Sequence, residues 1–482
     1  MQSKFARKTD PTVQLQPKYD SFIRFLFRAL SEKIDHAQKI EEITHRYQEI
    51  AGKDIVRDII LIDRLSKLKQ DIINNGQKYS HLFIDVLKLL KEAKIIYDDV
   101  FQELSIFPQK IEKPTDSLVE KYKIDVDALV EKVAQNKEVK GTIKGLIKSN
   151  IDSKDSIRKK LRCFELFQQQ FNKEVDWTQL DPELRVQLEC YGSLVSRSSV
   201  KSSDIDISLK TSKPIDERKV LQFLYDKLII KFVNDTQNYK VQRLLHDNIR
   251  VPLIDLTILK YEVKLSFTVN NILGIYNSKM IDLYLDLDPR ARILCLLVKI
   301  WAKIQGVIST QKLFLSSYAY NLMVINYLQT ISPPILPSLQ KLTERNPPQL
   351  LEILRKGKNF EQFQTRIDYE SDRERLQQIM QQNYSSNTSD IIELLLGFFK
   401  TYGSASKSDV RISVKEGTTL KKRESDSNYL YSIEDPFDPY HNPGKYLLKG
   451  TPSAKKMLKV MFQSYELLKQ GKLKEIFLPF FA

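Results

Sequence analysis

The segment Tyr191-Gly192-Ser193, followed eleven residues later by Asp204-Ile205-Asp206, constrains this chain more than any other feature. Ile205, Ile207 and Leu209 alternate with the acidic positions, the period of a strand with one buried face, and the polar run from Ser196 to Ser203 reads as the loop leading into it. Residues two apart on a strand project to one face, so Asp204 and Asp206 can both offer oxygen to hard divalent cations. A Gly-Ser turn lets backbone N–H groups and a short hydroxyl come close to an anion, because glycine has no side chain in the way. Taken singly, a Gly-Ser pair is an ordinary turn and an Asp-x-Asp an ordinary solvated surface. Joined in this order, the turn suits a triphosphate, and the carboxylates suit two metals that activate an attacking hydroxyl and stabilise leaving pyrophosphate. The combination points to nucleotidyl transfer.

With 482 residues the chain has room for roughly two to four domains. Its 76 Lys and Arg against 61 Asp and Glu leave a charge of +15, which favours a polyanionic partner such as RNA, DNA or an anionic membrane. Cys163, Cys190 and Cys295 are too few and too scattered for a disulfide framework or zinc cluster, which fits a reducing intracellular compartment. No apolar run of signal-peptide type opens the sequence, and none reaches the roughly 18 apolar residues of a membrane span. A soluble protein of the cytoplasm or nucleus, with no membrane partner, is expected.

From about Tyr19 to Asn150 the chain is rich in Lys, Glu, Ile and Leu, with apolar residues at helical spacing: Leu82, Val86, Leu89, Leu90, Ala93 and Ile96. Breaks at Asn74-Asn75-Gly76 and Pro108 to Thr115 separate helical hairpins. This front reads as an interaction or RNA-handling extension, or as a stabilising helical layer. An amphipathic helix over 156–172 leads into the Gly-Ser turn. Strands are expected at 204–209, 250–258 and 261–269, with a helix at 216–233, and the pattern after Asp288 is helical.

Seven blocks then occur in order: YGSLVSRSSVKSSDIDISL (191–209), NNILGIYNS (270–278), LLVKIWAKIQGV (296–307), LSSYAYNLMVINYL (315–328), PPILPSLQ (333–340), LLLGFFKTYG (394–403) and IEDPFDPYHNPGK (433–445). Together they resemble the noncanonical poly(A) polymerases and terminal uridylyltransferases of the DNA polymerase β-like nucleotidyltransferase superfamily, over residues 156–482. The resemblance implies an α+β fold. A small mixed β-sheet, palm-like nucleotidyltransferase domain (177–285) is joined to a helical poly(A) polymerase-associated domain (286–482). A packing helix (156–176) and an all-helical N-terminal extension (1–155) precede them. It implies UMP addition from UTP to a single-stranded RNA 3′ end, with Mg²⁺ or Mn²⁺ on Asp204 and Asp206. A protein partner through residues 1–150, such as an RNA-silencing complex, is part of the same expectation. The alternatives are a noncatalytic scaffold subunit and a poly(A)-adding relative.

Several residues carry this reading. Lys299 and Lys303, four apart on a helix, lie on one face and can neutralise a triphosphate beside Gly192 and Ser193. Ser317 stands at an apparent helix start, where N–H groups favour phosphate. The resemblance assigns Tyr318 to stacking on the base, Asn277 to the ribose hydroxyls and Asn271 to the same pocket. It places His441 where uridylylating members contact uracil, a polar base contact that discriminates by about 1–3 kcal/mol. Glu434, Asp435 and Asp438 are expected to shape that pocket.

The pattern departs from the family at its third carboxylate. Members carry an Asp on the strand before the Asn-Asn pair, a general base or metal ligand; here that strand holds Lys264, and Asp255 on the preceding strand falls where members carry Lys. Asp255 completing the site from the neighbouring strand, Glu262 supplying the group, and a crippled centre are the three readings.

Overall fold

The computed structural model describes residues 11–31, 35–51, 61, 65, 67–68, 80–92, 116–201, 203–245, 251–343, 347–355, 361–403 and 409–480. The chain divides into two compact units, Met1–Glu112 and Lys113–Ala482. In the first, helices α1 (Pro11–Ser31), α2 (His36–Ala51) and α3 (Ser80–Glu92) close around Phe22, Leu26, Ile43, Phe83 and Leu90. Val86, Leu89 and Leu90 are all buried, as their spacing on an amphipathic helix requires. Ala93, Ile96 and the breaks at 74–76 and 108–115 lie outside the described residues.

The second unit opens with α4 (Asp116–Tyr122), α5 (Val126–Val133) and α6 (Lys137–Asn150). Composition attaches these helices to the front of the chain, which places a boundary near 155. Apolar burial attaches them to the rest instead: Val130, Ile143 and Ile147 share one core cluster with Leu294, Leu297 and Trp301.

Next comes α7 (Lys154–Glu174), started by Ser153, whose side chain accepts from the Ser156 N–H. A five-stranded sheet follows, built from β1 (Val186–Tyr191), β2 (Ile205–Thr211), β3 (Tyr239–Leu244), β4 (Leu253–Ile258) and β5 (Val263–Val269) in the order β1-β2-β5-β4-β3. Only β2 and β5 run parallel, and such a pair needs a long crossover. The crossover contains α8 (Glu217–Leu224), prolonged by a π-turn over Tyr225–Ile229 and a last turn at Ile230–Val233. One sheet face carries Ile205, Ile207, Leu209, Leu265 and Phe267 against α7 and α8; the Phe167 and Phe267 rings lie 4.4 Å apart. Strand periodicity leaves Asp206, Ser266 and Asp255 on the other face.

The helical layer comprises α9 (Ile272–Leu287), α10 (Pro289–Ile304), α11 (Ser317–Thr330), α12 (Arg373–Asn383), α13 (Ile391–Tyr402) and α14 (Pro452–Lys469). Short strands interrupt it where the sequence reads as helical: a hairpin, β6 (Leu350–Arg355) with β7 (Glu361–Arg366), and a three-stranded sheet of β8 (Val410–Ser413), β9 (Thr418–Lys421) and β10 (Ser432–Ile433). Such short strands owe their stability to cross-strand pairing rather than to local pattern. Among the described residues no helix is long and apolar enough to cross a membrane.

Candidate active site

The site forms where the polar face of the sheet meets the helical layer. Tyr191, the last residue of β1, pairs in register with Asp206 of β2, so the Gly-Ser turn starts beside the carboxylate. Gly192 has φ +77°, and a Cβ built on it would lie 1.9 Å from Asp206 Oδ2, so the close approach requires glycine. The Gly192 N–H donates to Ser278 Oγ on α9 at 2.6 Å. The Gly192 and Ser193 carbonyls accept from the N–H groups of Ser196 and Ser198, which curls the turn. Arg197, at φ 47°, is held by Asp282 at 2.8 Å and by Asp286, and Arg292 of α10 grips Asp286 at 2.7 Å. An ion-pair network thus fastens the palm turn to two helices.

Asp204 and Asp206 share the cleft face. Burial, reinforced by the neighbouring Asp204 charge, pushes the Asp206 carboxyl up to about 7. Two hard carboxylates on one face, with Lys264 neutralising only part of the Asp204 charge, fit a divalent cation such as Mg²⁺, which takes one or two carboxylates and completes its shell with water and phosphate oxygen. Among the described residues no three His, Cys, Asp or Glu side chains converge as a metal site.

The sheet register defines the surroundings of the carboxylate pair. Ser266, not Lys264, is the partner of Asp206 on β2 and of Asp255 on β4. Ser266 Oγ donates to Asp255 Oδ1 at 2.6 Å. Lys264, two residues earlier on the same face, sets its Nζ 2.6 Å from Asp204 and 3.3 Å from Asp255. Burial opposes the Lys264 charge, but the two carboxylates outweigh it and raise its pKa. Two strand spacings separate the backbones of Asp255 and Asp206, about 10 Å. Asp255 therefore reaches the cleft through Ser266 and Lys264 rather than by lining it. Glu262 occupies the left-handed position of the β4–β5 turn, φ 54°, and is exposed, away from the row.

A cleft of about 1520 Å³ gathers the remaining residues. The palm contributes Gly192, Ser193, Asp204 and Asp206, and α9 with its cap contributes Asn271 and Asn277. Lys299 and Lys303 come from α10, Ser317 and Tyr318 from α11, and Asp435, Asp438 and His441 from the loop after β10. Asn271 is the N-cap of α9, accepting from the Gly274 N–H at 3.2 Å while its own N–H donates to Ser208. Lys299 donates to the Ser198 carbonyl and Lys303 to the Lys201 carbonyl, so both ammonium groups also hold the loop between the turn and the carboxylates. Burial pushes the Lys299 pKa down to about 8. Ser316, rather than Ser317, caps α11, and Ser317 is its first residue.

Asp435 organises the far wall. It accepts from the Tyr318 hydroxyl at 3.1 Å, from the Phe437 and Asp438 N–H groups, and from Asn277 Nδ2 at 3.5 Å, and it lies 3.1 Å from His441 Nδ1. Burial works to raise its pKa, yet His441 and these N–H groups outweigh burial and lower it. With Nδ1 engaged, Nε2 is the ring nitrogen left for a ligand. Asp438 accepts from the Tyr440 N–H at 2.9 Å. Glu434 turns away from the cleft to Arg411, at 2.7 Å, and to Ser413, and ties β8 to β10. Two cleft residues escape a sequence reading. Ser278 holds the Gly192 N–H, and Asn321, one turn after Tyr318, is buried with an unpartnered Oδ1, as is Asn277 Oδ1. Asn326 and Gln329 are further buried amides of the same helix, so nothing in the sequence alone singles out Asn321.

Comparison with known proteins agrees with this architecture. The central palm domain described as poly(A) RNA polymerase, mitochondrial-like, matches residues 139–286, and the Cid1 family poly A polymerase domain matches residues 390–441. Terminal uridylyltransferase cid1 of Schizosaccharomyces pombe is 31% identical over 288 residues, 54% of this chain and 64% of that protein. Poly(A) RNA polymerase GLD2-B of Xenopus laevis is 28% identical over 303 residues, 59% of this chain and 55% of that protein. Human terminal uridylyltransferase 7 is 27% identical over 53% of this chain, which spans 17% of that protein. The chain thus spans less than two thirds of each of these relatives. The fold matches the crystal structure of Cid1 poly(U) polymerase with MgGTP at a TM-score of 0.57 and 23% identity, over 72% of this chain and all of that one. It matches the mtPAP structure in complex with UTP at 0.55 and 20% identity, over 76% of each chain. Through its palm and associated segments, the chain is similar to noncanonical poly(A) polymerases and terminal uridylyltransferases.

Proposed function

We propose that the protein is a template-independent RNA 3′-terminal nucleotidyltransferase that adds UMP from UTP. The observation that carries this reading is the meeting, in one cleft, of the Gly192-Ser193 turn and the Asp204–Asp206 pair with the Tyr318–Asp435–His441 array. Asp204 and Asp206 are the residues to hold Mg²⁺ or Mn²⁺, whose chemistry when bound is to activate the attacking 3′-hydroxyl and offset charge on leaving pyrophosphate. Gly192 and Ser193 cradle the triphosphate, Lys299 and Lys303 add positive charge, and Ser317 offers a hydroxyl from the start of α11. Tyr318, its hydroxyl tethered by Asp435, presents its ring to the base. His441 presents Nε2 to a uracil carbonyl, and Asn277 meets the ribose. Asp255 serves as a positioning residue that acts through Ser266 and Lys264. The helical first unit is read as the docking element for a protein partner such as an RNA-silencing complex, in the cytoplasm or nucleus.

Lys264 favours a second reading, a scaffold subunit without catalysis, because its ammonium 2.6 Å from Asp204 competes with a cation for that carboxylate. Incubating the purified protein with labelled single-stranded RNA, Mg²⁺ or Mn²⁺ and each NTP in turn separates the two. Extension with UTP, lost in Asp204→Ala and Asp206→Ala, supports the enzyme; no extension with any nucleotide establishes the scaffold, and preference for ATP removes the role of His441. Asp255→Ala is expected to reduce extension sharply while the fold survives, and near-normal extension would show Asp255 to be dispensable.

A further inference from the structure

A second cavity, about 380 Å³, lies on the other side of the His441 loop and shares His441 and Asp438 with the main cleft. No role falls to it from the nucleotide site. Three cationic side chains line it: Arg411, Arg423 and Lys445. Arg411 is buried and paired with Glu434 at 2.7 Å. Its pKa is lowered, first by burial and further by the Arg423 charge, against the opposing pull of Glu434. The carboxylates present are already engaged: Asp426 accepts from Ser432 Oγ at 2.6 Å and Asp438 from the Tyr440 N–H. Arg423 is exposed, and its Nη1 donates to the Pro439 carbonyl at 2.5 Å, which sets the guanidinium beside Tyr440.

Aromatic rings connect the two cavities. Phe363 of β7 faces the main cleft, and its ring meets that of Tyr440 edge to face at 5.6 Å. Tyr440, in turn, lines the second cavity and is 58% exposed, unusual for a tyrosine in a well-packed loop. Tyr446 lines the main cleft beneath the Lys445 ammonium, 5.2 Å from its ring centre. Exposed rings interleaved with cations along a path that leaves a nucleotide cleft are what a single-stranded polynucleotide needs. Rings stack on bases whatever their sequence, and cations follow the phosphates.

We propose that this second cavity binds the upstream nucleotides of the RNA strand whose 3′ end occupies the main cleft, with Arg423 on a phosphate and the Phe363–Tyr440 pair against a base. The inference rests on the RNA-tailing reading of the main cleft and extends it to the path of the substrate.

The test uses the full chain and two RNAs, a dinucleotide that reaches only the main cleft and a fifteen-nucleotide strand, each fluorescently labelled. Binding is measured by anisotropy without NTP, and extension with UTP is measured alongside. Arg423→Glu and Tyr440→Ala are expected to weaken binding of the longer RNA about ten-fold each while dinucleotide and UTP affinities stay as they were, since one variant loses a phosphate contact and the other a stacking platform. Arg423→Glu is also expected to flatten the salt dependence by about one phosphate contact, and Arg423→Lys to restore it. Unchanged binding of the longer RNA in both variants overturns the proposal, as does an equal loss for the dinucleotide, which would assign the cavity to the incoming nucleotide or to loop stability. If the wild-type chain extends neither RNA but still binds the longer one through Arg423 and Tyr440, the tailing reading falls and the RNA path stands.

Discussion

At Gly192 the backbone lies in the left-handed region, and the next strand brings Asp206 Oδ2 to where a Cβ would be. Gly192→Ala is therefore expected to cost about 1–2 kcal/mol of stability from backbone strain alone. Displacing Asp206 by about 1 Å should reduce extension about a hundred-fold. Thermal denaturation and single-turnover extension measure the two effects separately. Lys299 supplies a pH prediction. Burial lowers its pKa from 10.5 to about 8, so it is charged below that value and neutral above it. UTP affinity should fall as pH rises through about 8, and Lys299→Met should bind UTP weakly with that limb absent. Stability carries the opposite sign. Between about 8 and 10.5 the unfolded chain holds the proton that the native state has released, so raising pH across this window stabilises the fold through this group. Isothermal titration and urea unfolding at several pH values check both signs.

At the scale of elements, the palm turn is only as firm as its attachment to α9 and α10. Arg292 is 4% exposed, bonds the Ser196 and Arg197 carbonyls, and shares Asp282 and Asp286 with Arg197. Arg292→Met strands part of that negative charge in a largely buried place and should cost about 3 kcal/mol, read as a lower urea midpoint with unchanged slope. The KM for UTP should rise as the turn loosens. Elements with a strong local period were legible in advance: α7 extends two residues beyond the expected 156–172 at each end, and β2 lies where Ile205, Ile207 and Leu209 alternate. By contrast β1, β3 and β6 to β10 were not, because strands such as Glu361–Arg366 and Thr418–Lys421 carry no clean alternation and exist through hydrogen bonding to the neighbouring strand of a hairpin.

At the scale of the molecule, every cleft residue named above belongs to the unit Lys113–Ala482, with α5 and α6 in its core. A protein spanning residues 113–482 is expected to bind UTP with the affinity of the full chain, whereas one starting at 156 removes Val130, Ile143 and Ile147 from that core and should aggregate or unfold. Calorimetry and light scattering on the two proteins distinguish these outcomes. The excess of 76 basic over 61 acidic residues predicts RNA affinity that falls steeply with salt, measurable by anisotropy from low to moderate ionic strength.

By itself, the sequence determined the chemistry on offer: a Gly-Ser turn, a carboxylate pair two apart, two lysines four apart on one helix, and a tyrosine and histidine that family resemblance placed at the base. These are legible because spacing along a strand or helix fixes which side chains share a face. Tertiary structure alone decided how they are wired. Asp435 gathers Tyr318 and Asn277, each more than a hundred residues away in the chain, beside its near neighbour His441. Cross-strand register puts Ser266, not Lys264, beside Asp206, and sends Lys264 to bridge Asp204 and Asp255. A one-residue change of register moves every side chain to the opposite face, and register is set by pairing between distant strands rather than by local pattern.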